Sequence, residues 1–481
     1  MKERGAVSIN LNVPIYQALM QYSGKNPVCF HIPGHKLGND PYIPYGDKLY
    51  LMDVTEVPGL DNLHQPSGVI KEAQELAAKA FGADYTFFLV NGSTCGIHAA
   101  IMSVCKRGDK LIVARDCHMA AINGMMLAGV EPVYIKPEFD HSFKIPSVLK
   151  CEHIEKALTE NSDAVGVYIT RPNYYGVCSD IEEISNLVHS YGKVLIVDEA
   201  HGAHFNFSDK LPPGALEFDS DICIQSAHKT LPALGQGAYL HVKGTRADVE
   251  KVRYSLNILQ TSSPSYLVMA FLDISRAIME KEGREILESL LEDIEKFHDS
   301  ISYNTRFRML SKDNFKSGDL DRTRLVINTK SYGLTGFEIE NILRSRYNIQ
   351  VEMADLYNIV CIVTNANRGQ DLEELKNALM DIHRDCKDSL PLPEIHIGAY
   401  EIPEQKVKLS ELMHKSFRRI KLKEACGMVS RRMITPYPPG IPVICPGEVM
   451  TESSIEYIMG ILESGGNVNG VYEGPEVEVL A

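Results

Sequence analysis

The chain predicts an α/β protein with a mostly parallel sheet covered by helices, and three observations carry that prediction. Short runs rich in Val and Ile recur along the chain, segments of helical periodicity lie between them, and polar or small residues follow the ends of several runs. From Ser67, Val69, Ile70, Ala73, Leu76, Ala77 and Ala80 recur at threes and fours, with Gly82 as a stop. Tyr85 to Val90 reads as a strand, and the small-residue turn Asn91 to Gly96 leads to an apolar helix over Ile97 to Val104. The alternation continues with strands at 110–114, 132–135, 164–170, 194–197, 222–225 and 238–242, and with helices at 119–128, around 154–158 and at 181–189.

After the helical run Ser265 to Lys281, the charged segment Glu282 to Arg284 is expected to be a hinge. A smaller α/β unit follows: helices at 286–298, 337–347 and 372–386, and strands at 324–329, 350–353 and 360–364. The run Leu390-Pro391-Leu392-Pro393 reads as a linker to a turn-dense end. The expected organisation is an N-terminal arm (1–65), a large domain (66–275), a small α/β domain (285–390) and a C-terminal domain (395–481). No internal repeat or low-complexity tract interrupts this plan.

With 481 residues, 44% hydrophobic and 23% charged, the chain is long enough for two to four globular domains. A formal net charge of -14 without a basic face argues against a nucleic-acid partner. The eleven cysteines include no CxxC pair, and several lie in apolar runs, as free thiols do in a reducing compartment. The first twenty residues hold no long apolar core, and no later segment approaches the ~18 apolar residues of a membrane span. A cytoplasmic protein with no membrane partner is the expectation.

The chemistry gathers where strands end. Ser226-Ala227-His228-Lys229-Thr230 follows the run Asp221 to Gln225 and precedes the Gly- and Pro-containing stretch Leu231 to Gly237. A lone lysine there is ordinarily solvated, but one at the mouth of a sheet loses hydration, which disfavours the ammonium and makes the amine a nucleophile. His118 follows the strand ending at Ala114, and Asp198 ends the strand that begins at Val194. Ligands of parallel sheets bind beyond the carboxyl ends of the strands, so these groups are expected to converge with Ser93 and Thr94, whose turn and helix N-terminus suit an anion. An anion site, an imidazole, a buried carboxylate and an amine are the set that pyridoxal 5'-phosphate requires.

Two other patterns are weaker. Asp198-Glu199-Ala200-His201 spells a helicase string, but the chain has no GxxxxGK[ST] phosphate loop. His201 and His204 could begin a metal site, yet no further ligands stand at useful spacing, so no metal is expected.

The assembled motifs resemble the Orn/Lys/Arg decarboxylase family of fold-type I pyridoxal-phosphate enzymes, in its short bacterial form. The matching strings are His31-Ile32-Pro33-Gly34-His35-Lys36, Asp198-Glu199-Ala200-His201-Gly202-Ala203-His204, Ser226-Ala227-His228-Lys229, Gln260-Thr261-Ser262-Ser263-Pro264-Ser265-Tyr266, Tyr437-Pro438-Pro439-Gly440-Ile441-Pro442 and Pro446-Gly447-Glu448. They span nearly the whole chain.

The resemblance implies that Lys229 forms the internal aldimine, Asp198 pairs with the pyridine nitrogen and His118 stacks on the ring. Ser93, Thr94, Ser226 and His228 would hold the phosphate, and His201 would meet the ring hydroxyl. His228 is equally a candidate proton carrier. Thr261, Ser262 and Ser263 would reach a neighbouring subunit's cofactor, implying a homodimer. The implied reaction is α-decarboxylation of a basic amino acid to agmatine or a diamine, as in polyamine biosynthesis. Arginine is favoured over lysine or ornithine, and Glu448 or the partner's arm is a candidate for the distal cation. A fold-type I aminotransferase or carbon–carbon lyase, or a non-catalytic cofactor-binding regulator, would share Lys229 and Asp198. Where many relatives carry Asn-Pro, this chain has Arg171-Pro172-Asn173-Tyr174-Tyr175-Gly176, which leaves that loop's role open.

Overall fold

A computed structural model describes residues 28–30, 60–367, 369–386, 389–392, 402–436 and 441–481. The string His31 to Lys36 and the segment Tyr437 to Gly440 lie outside the described residues.

The large sheet has seven strands: β1 (Tyr85–Leu89), β2 (Lys110–Ala114), β3 (Glu131–Ile135), β4 (Gly166–Thr170), β5 (Val194–Asp198), β6 (Ile222–Gln225) and β7 (Ala238–Val242). Their order is β1-β7-β6-β5-β4-β2-β3. Only β7 runs antiparallel to its neighbours.

Both faces are covered, which explains why the strands are apolar throughout. Along β2, Ile112 and Ala114 face one core while Leu111 and Val113 face the other. The first core lies under α1 (Val69–Phe81), α4 (Cys151–Glu160) and α5 (Ile181–Ser190). The second lies under α2 (Gly92–Val104), α3 (Met119–Ala128) and α7 (Val249–Leu259). Gly96 lets α2 lie close on the sheet, since a Cβ there would meet Leu89 Cδ1 at 2.6 Å and Ile224 Cγ2 at 3.1 Å.

The expected hinge at Glu282 to Arg284 is absent: α8 is one helix from Tyr266 to Asn304, 39 residues and about 58 Å long. The charged run is a solvated face of α8, while Gly283 packs on Phe207, where an added Cβ would come within 3.1 Å. Leu272, Met279 and Leu287 bury into the large-domain core, and Leu290, Ile294, Phe297 and Ile301 into the small-domain core. The helix continues because both ends have an apolar surface to cover.

The small domain carries a four-stranded sheet, ordered β8 (Arg308–Met309), β9 (Arg324–Asn328), β11 (Asn358–Ile362), β10 (Met353–Ala354). Helices α9 (Gly336–Tyr347) and α10 (Gly369–Cys386) cover it. The single strand expected at 350–353 is divided, because Ile349–Gln350 pairs in parallel with Val28–Cys29 and only Met353–Ala354 joins β11. This N-terminal segment therefore docks on the small domain, with Phe30 fully buried in its core. The C-terminal region has a three-stranded sheet, β12 (Phe417–Lys421), β14 (Glu476–Leu480) and β13 (Val471–Tyr472), beside α11 (Glu452–Glu463).

Two buried ion pairs brace this arrangement. Arg115, at the end of β2, reaches Glu448 Oε2 at 2.7 Å and the Val443 carbonyl at 3.2 Å, joining the large domain to the C-terminal region. Glu448 is fully buried and also accepts from the Cys445 amide, so it is a structural partner of Arg115 rather than a carboxylate held ready for a substrate cation. Glu199 pairs with Arg171 at 3.4 Å and accepts from the Ala215 amide and Gln225 Nε2. In both cases removing the charge strands a buried arginine. We expect Glu448→Gln and Glu199→Ala each to lower unfolding free energy by about 3 kcal/mol or more, read as an earlier chemical-denaturation midpoint.

Candidate active site

The site forms beyond the carboxyl edge of the large sheet. Strand β6 ends at Gln225, and Lys229 stands in the single turn α6 (Ala227–Thr230) rather than on the strand itself. This turn is held by Lys229 N–H to Ser226 O and by His228 N–H to Gly237 O. The Lys229 amine lies 3.0 Å from His201 Nε2 and 6.0 Å from the centroid of the Tyr174 ring. Desolvation lowers its pKa to about 8, against the opposing pull of Asp198 and Glu352, while Arg324 adds to the lowering. The loss of hydration expected of a lysine in this place is thus present.

Asp198 ends β5 and is 2% exposed. Its carboxylate accepts from Tyr168 Oη at 2.9 Å and from the Ala200 amide at 3.1 Å. Burial pushes its pKa up, and the Lys229 charge and these hydrogen bonds oppose the rise. His118 caps α3, with Nδ1 accepting from the Ala120 amide at 3.2 Å. Burial, with Lys229 and His98 nearby, lowers its pKa to about 4, so the ring is neutral at physiological pH. His201 is also kept neutral, by burial first and then by the surrounding cations Lys229 and Arg324.

Ser93 and Thr94 lie in the first turn of α2, which begins at Gly92, earlier than the sequence suggests. Asn91 makes no side-chain cap there; its Oδ1 accepts instead from the Thr261 amide at 3.2 Å. The first-turn amides are therefore not satisfied by a capping side chain, which suits an anion. Ser226 is fully buried and its hydroxyl has no hydrogen-bond partner among the described residues. An orphaned hydroxyl in such a place calls for a polar group from outside the chain. His228 Nδ1 lies 3.0 Å from the Gly237 carbonyl.

Thr261 and Ser262 are exposed within the single chain and touch neither Lys229 nor His201; Thr261 instead meets Asn91 and, through its carbonyl, His64 Nε2 at 2.8 Å. His204 turns away to Asp321 and Thr323, both at 3.2 Å. Among the described residues no three His, Cys, Asp or Glu side chains gather as metal ligands. A cavity of about 150 Å3 opens where the three domains meet, lined by Asp116, Tyr175, Asp355 and Val443, and Lys229 is not in its wall.

Four residues escaped the sequence reading. Tyr168 sits mid-strand and reads as an ordinary core aromatic. Tyr174, from the unassigned loop, places its ring 4.7 Å from that of His201. Arg324 opens β9 in the small domain and donates from Nη2 to His201 Nδ1 at 2.9 Å. Glu352, also from the small domain, supplies the second carboxylate field at Lys229. The last two come from a part of the chain whose local pattern carries only strands and helices.

Comparison with known proteins extends this geometry. Residues 13–321 match the model of the Orn/Lys/Arg decarboxylase major domain, and residues 401–472 that of its C-terminal domain. The arginine decarboxylase of Bacillus subtilis is 37% identical over 475 residues, covering 97% of this chain and 96% of its own. The lysine decarboxylase LdcA of Pseudomonas aeruginosa is 22% identical, covering 97% of this chain and 77% of its own. Among solved structures, the constitutive lysine decarboxylase of E. coli superposes with a TM-score of 0.78 at 19% identity, covering 97% of this chain and 82% of that one. The serine palmitoyltransferase of Sphingomonas wittichii does so with 0.58 at 15%, covering 72% and 84%. With matching domains in matching order over nearly its whole length, this chain belongs to the Orn/Lys/Arg decarboxylase family.

Proposed function

We propose that this chain decarboxylates a basic amino acid, arginine first among them, using pyridoxal 5'-phosphate and releasing carbon dioxide and agmatine. The observation that carries the reading is the Lys229 amine, held at a lowered pKa beside His201 and in the field of the buried Asp198 carboxylate. The choice of arginine rests on the Bacillus subtilis relative.

The residues suit the cofactor. Lys229 would hold it covalently, and Asp198 would face its ring nitrogen. His118, neutral and capping α3, would lie against its ring, with His201 near its hydroxyl. The Ser226 hydroxyl, Ser93, Thr94 and the first-turn amides of α2 would take its phosphate, with His228 beside them. The chemistry the group supplies when bound is an electron sink for the pair left as the Cα–carboxylate bond breaks.

The chain's own residues do the rest. The neutral fraction of Lys229 at physiological pH is the form that would bond the cofactor, and once the substrate amine has taken its place, a pKa near 8 would let the freed amine take up and release a proton. That proton replaces the lost carboxylate at Cα. His228, adjoining Lys229 on α6, is the alternative donor at the same atom. Lys229, Tyr168 and the Ala200 amide oppose the rise that burial causes at Asp198, and so favour the carboxylate form, which would pair with a protonated ring nitrogen. We assign the exposed Thr261 and Ser262 to the contact between subunits of a homodimer.

Incubating the purified protein and cofactor with arginine, lysine and ornithine in turn, while following carbon dioxide and the amine product, tests the reading. Release should be fastest from arginine; no release from any of the three would overturn it. Lys229→Ala should lower the rate by on the order of 10³-fold or more without an earlier unfolding midpoint. Asp198→Ala should weaken turnover by about 10²-fold or more and shift the absorbance of the bound cofactor.

A further inference from the structure

The hydrogen bonds around His201 have a directionality that follows from donor chemistry alone. Arg324 Nη2 lies 2.9 Å from His201 Nδ1. A guanidinium only donates, and it is not deprotonated in proteins, so Nδ1 must be the acceptor and carries no proton. The one proton of the neutral ring therefore sits on Nε2. That atom is 3.0 Å from Lys229 Nζ, so Nε2–H donates to the lysine lone pair. A charged ammonium in the same place would set two donors against each other.

Arg324 is itself firmly held. It is 2% exposed, opens β9, and donates from Nη1 to the Tyr174 carbonyl at 3.1 Å. Tyr174 in turn sets its ring against His201. The charged and titratable groups facing this cluster are Asp198 from β5, His118 at the start of α3, His228 on α6, Cys178, and Asp321 and Glu352 from the small domain, the last two drawing on the Arg324 charge. None of them dictates which nitrogen of His201 carries the proton.

We propose that Arg324 is a positioning residue: by donating to Nδ1 it fixes His201 as the Nε2–H tautomer, and that N–H holds Lys229 as the free amine. The inference rests on Lys229 as the reacting amine. Without Arg324, His201 can carry its proton on Nδ1 and accept at Nε2 from an ammonium, which stabilises the charged lysine. The small domain, through one side chain, then sets the protonation state of an amine on the large domain.

The test needs neither cofactor nor turnover, so a failure of the decarboxylase reading leaves it intact. Cofactor-free protein is acetylated across a pH series, and label on Lys229 is quantified by peptide mass spectrometry. Wild-type labelling should be half-maximal near pH 8. Arg324→Met should move the midpoint up by about one unit, read as about tenfold less label at neutral pH. Arg324→Gln, whose amide can donate or accept, is the second variant and should move it the same way. Arg324→Lys, which keeps a charged donor, should stay near wild type. In a His201→Phe background, Arg324→Met should move the midpoint by clearly less, only by the share that the guanidinium charge exerts on the lysine directly. An unchanged midpoint in the folded Met or Gln variant would overturn the proposal, as would an equal shift with and without His201, which would mean that Arg324 acts on the lysine by charge alone.

Discussion

Taking charge out of water at the carboxyl edge of a parallel sheet is the constraint on which this structure turns. A doubly covered sheet leaves only its edges to carry chemistry, and at this edge Asp198, His201, Arg324 and Lys229 are brought within reach of one another. Each is costly to bury alone. Together they divide the charge: the Arg324 guanidinium stays charged, Lys229 opposes the rise that burial causes at Asp198, and His201 and Lys229 are pushed toward neutrality. The lowered pKa of the lysine amine is thus a consequence of how the cluster is hydrated and paired.

Such a cluster needs rigid support, and the chain supplies it from several elements. Helix α8 enters both the large and the small core, so β9 and its Arg324 are carried on the same helix as the sheet edge they face. Arg115 and Glu448 tie the C-terminal region to the end of β2, three residues before His118. Glu199 anchors the loop after β5 to Arg171, Ala215 and Gln225, which keeps the neighbouring Asp198 and His201 in register. The helicase-like spelling of Asp198 to His201 therefore breaks into separate roles: a carboxylate in the site, a structural acid behind it, and an imidazole beside the lysine.

Much of this was legible in the residues. Seven apolar runs became seven strands, because a sheet covered on both faces writes its burial as a near-continuous apolar run. Lys229, Asp198, His118 and Ser93 were visible because they stand just after such runs. The misreadings share one cause. A charged run inside α8 reads as a break, and β10 reads as continuous with the pairing at 349–350, when neighbours distant in the chain decide both.

By itself the sequence determined the fold class and the family, and it placed a lysine and a carboxylate at strand ends, since periodicity and strand-end position are local properties of the chain. Only the tertiary structure decided that Arg324, ninety-five residues beyond Lys229, donates to His201, that Tyr168 braces Asp198, and that Glu448 is committed to Arg115. Hydrogen bonds and desolvation depend on which groups share a volume, and that is settled when the domains pack together.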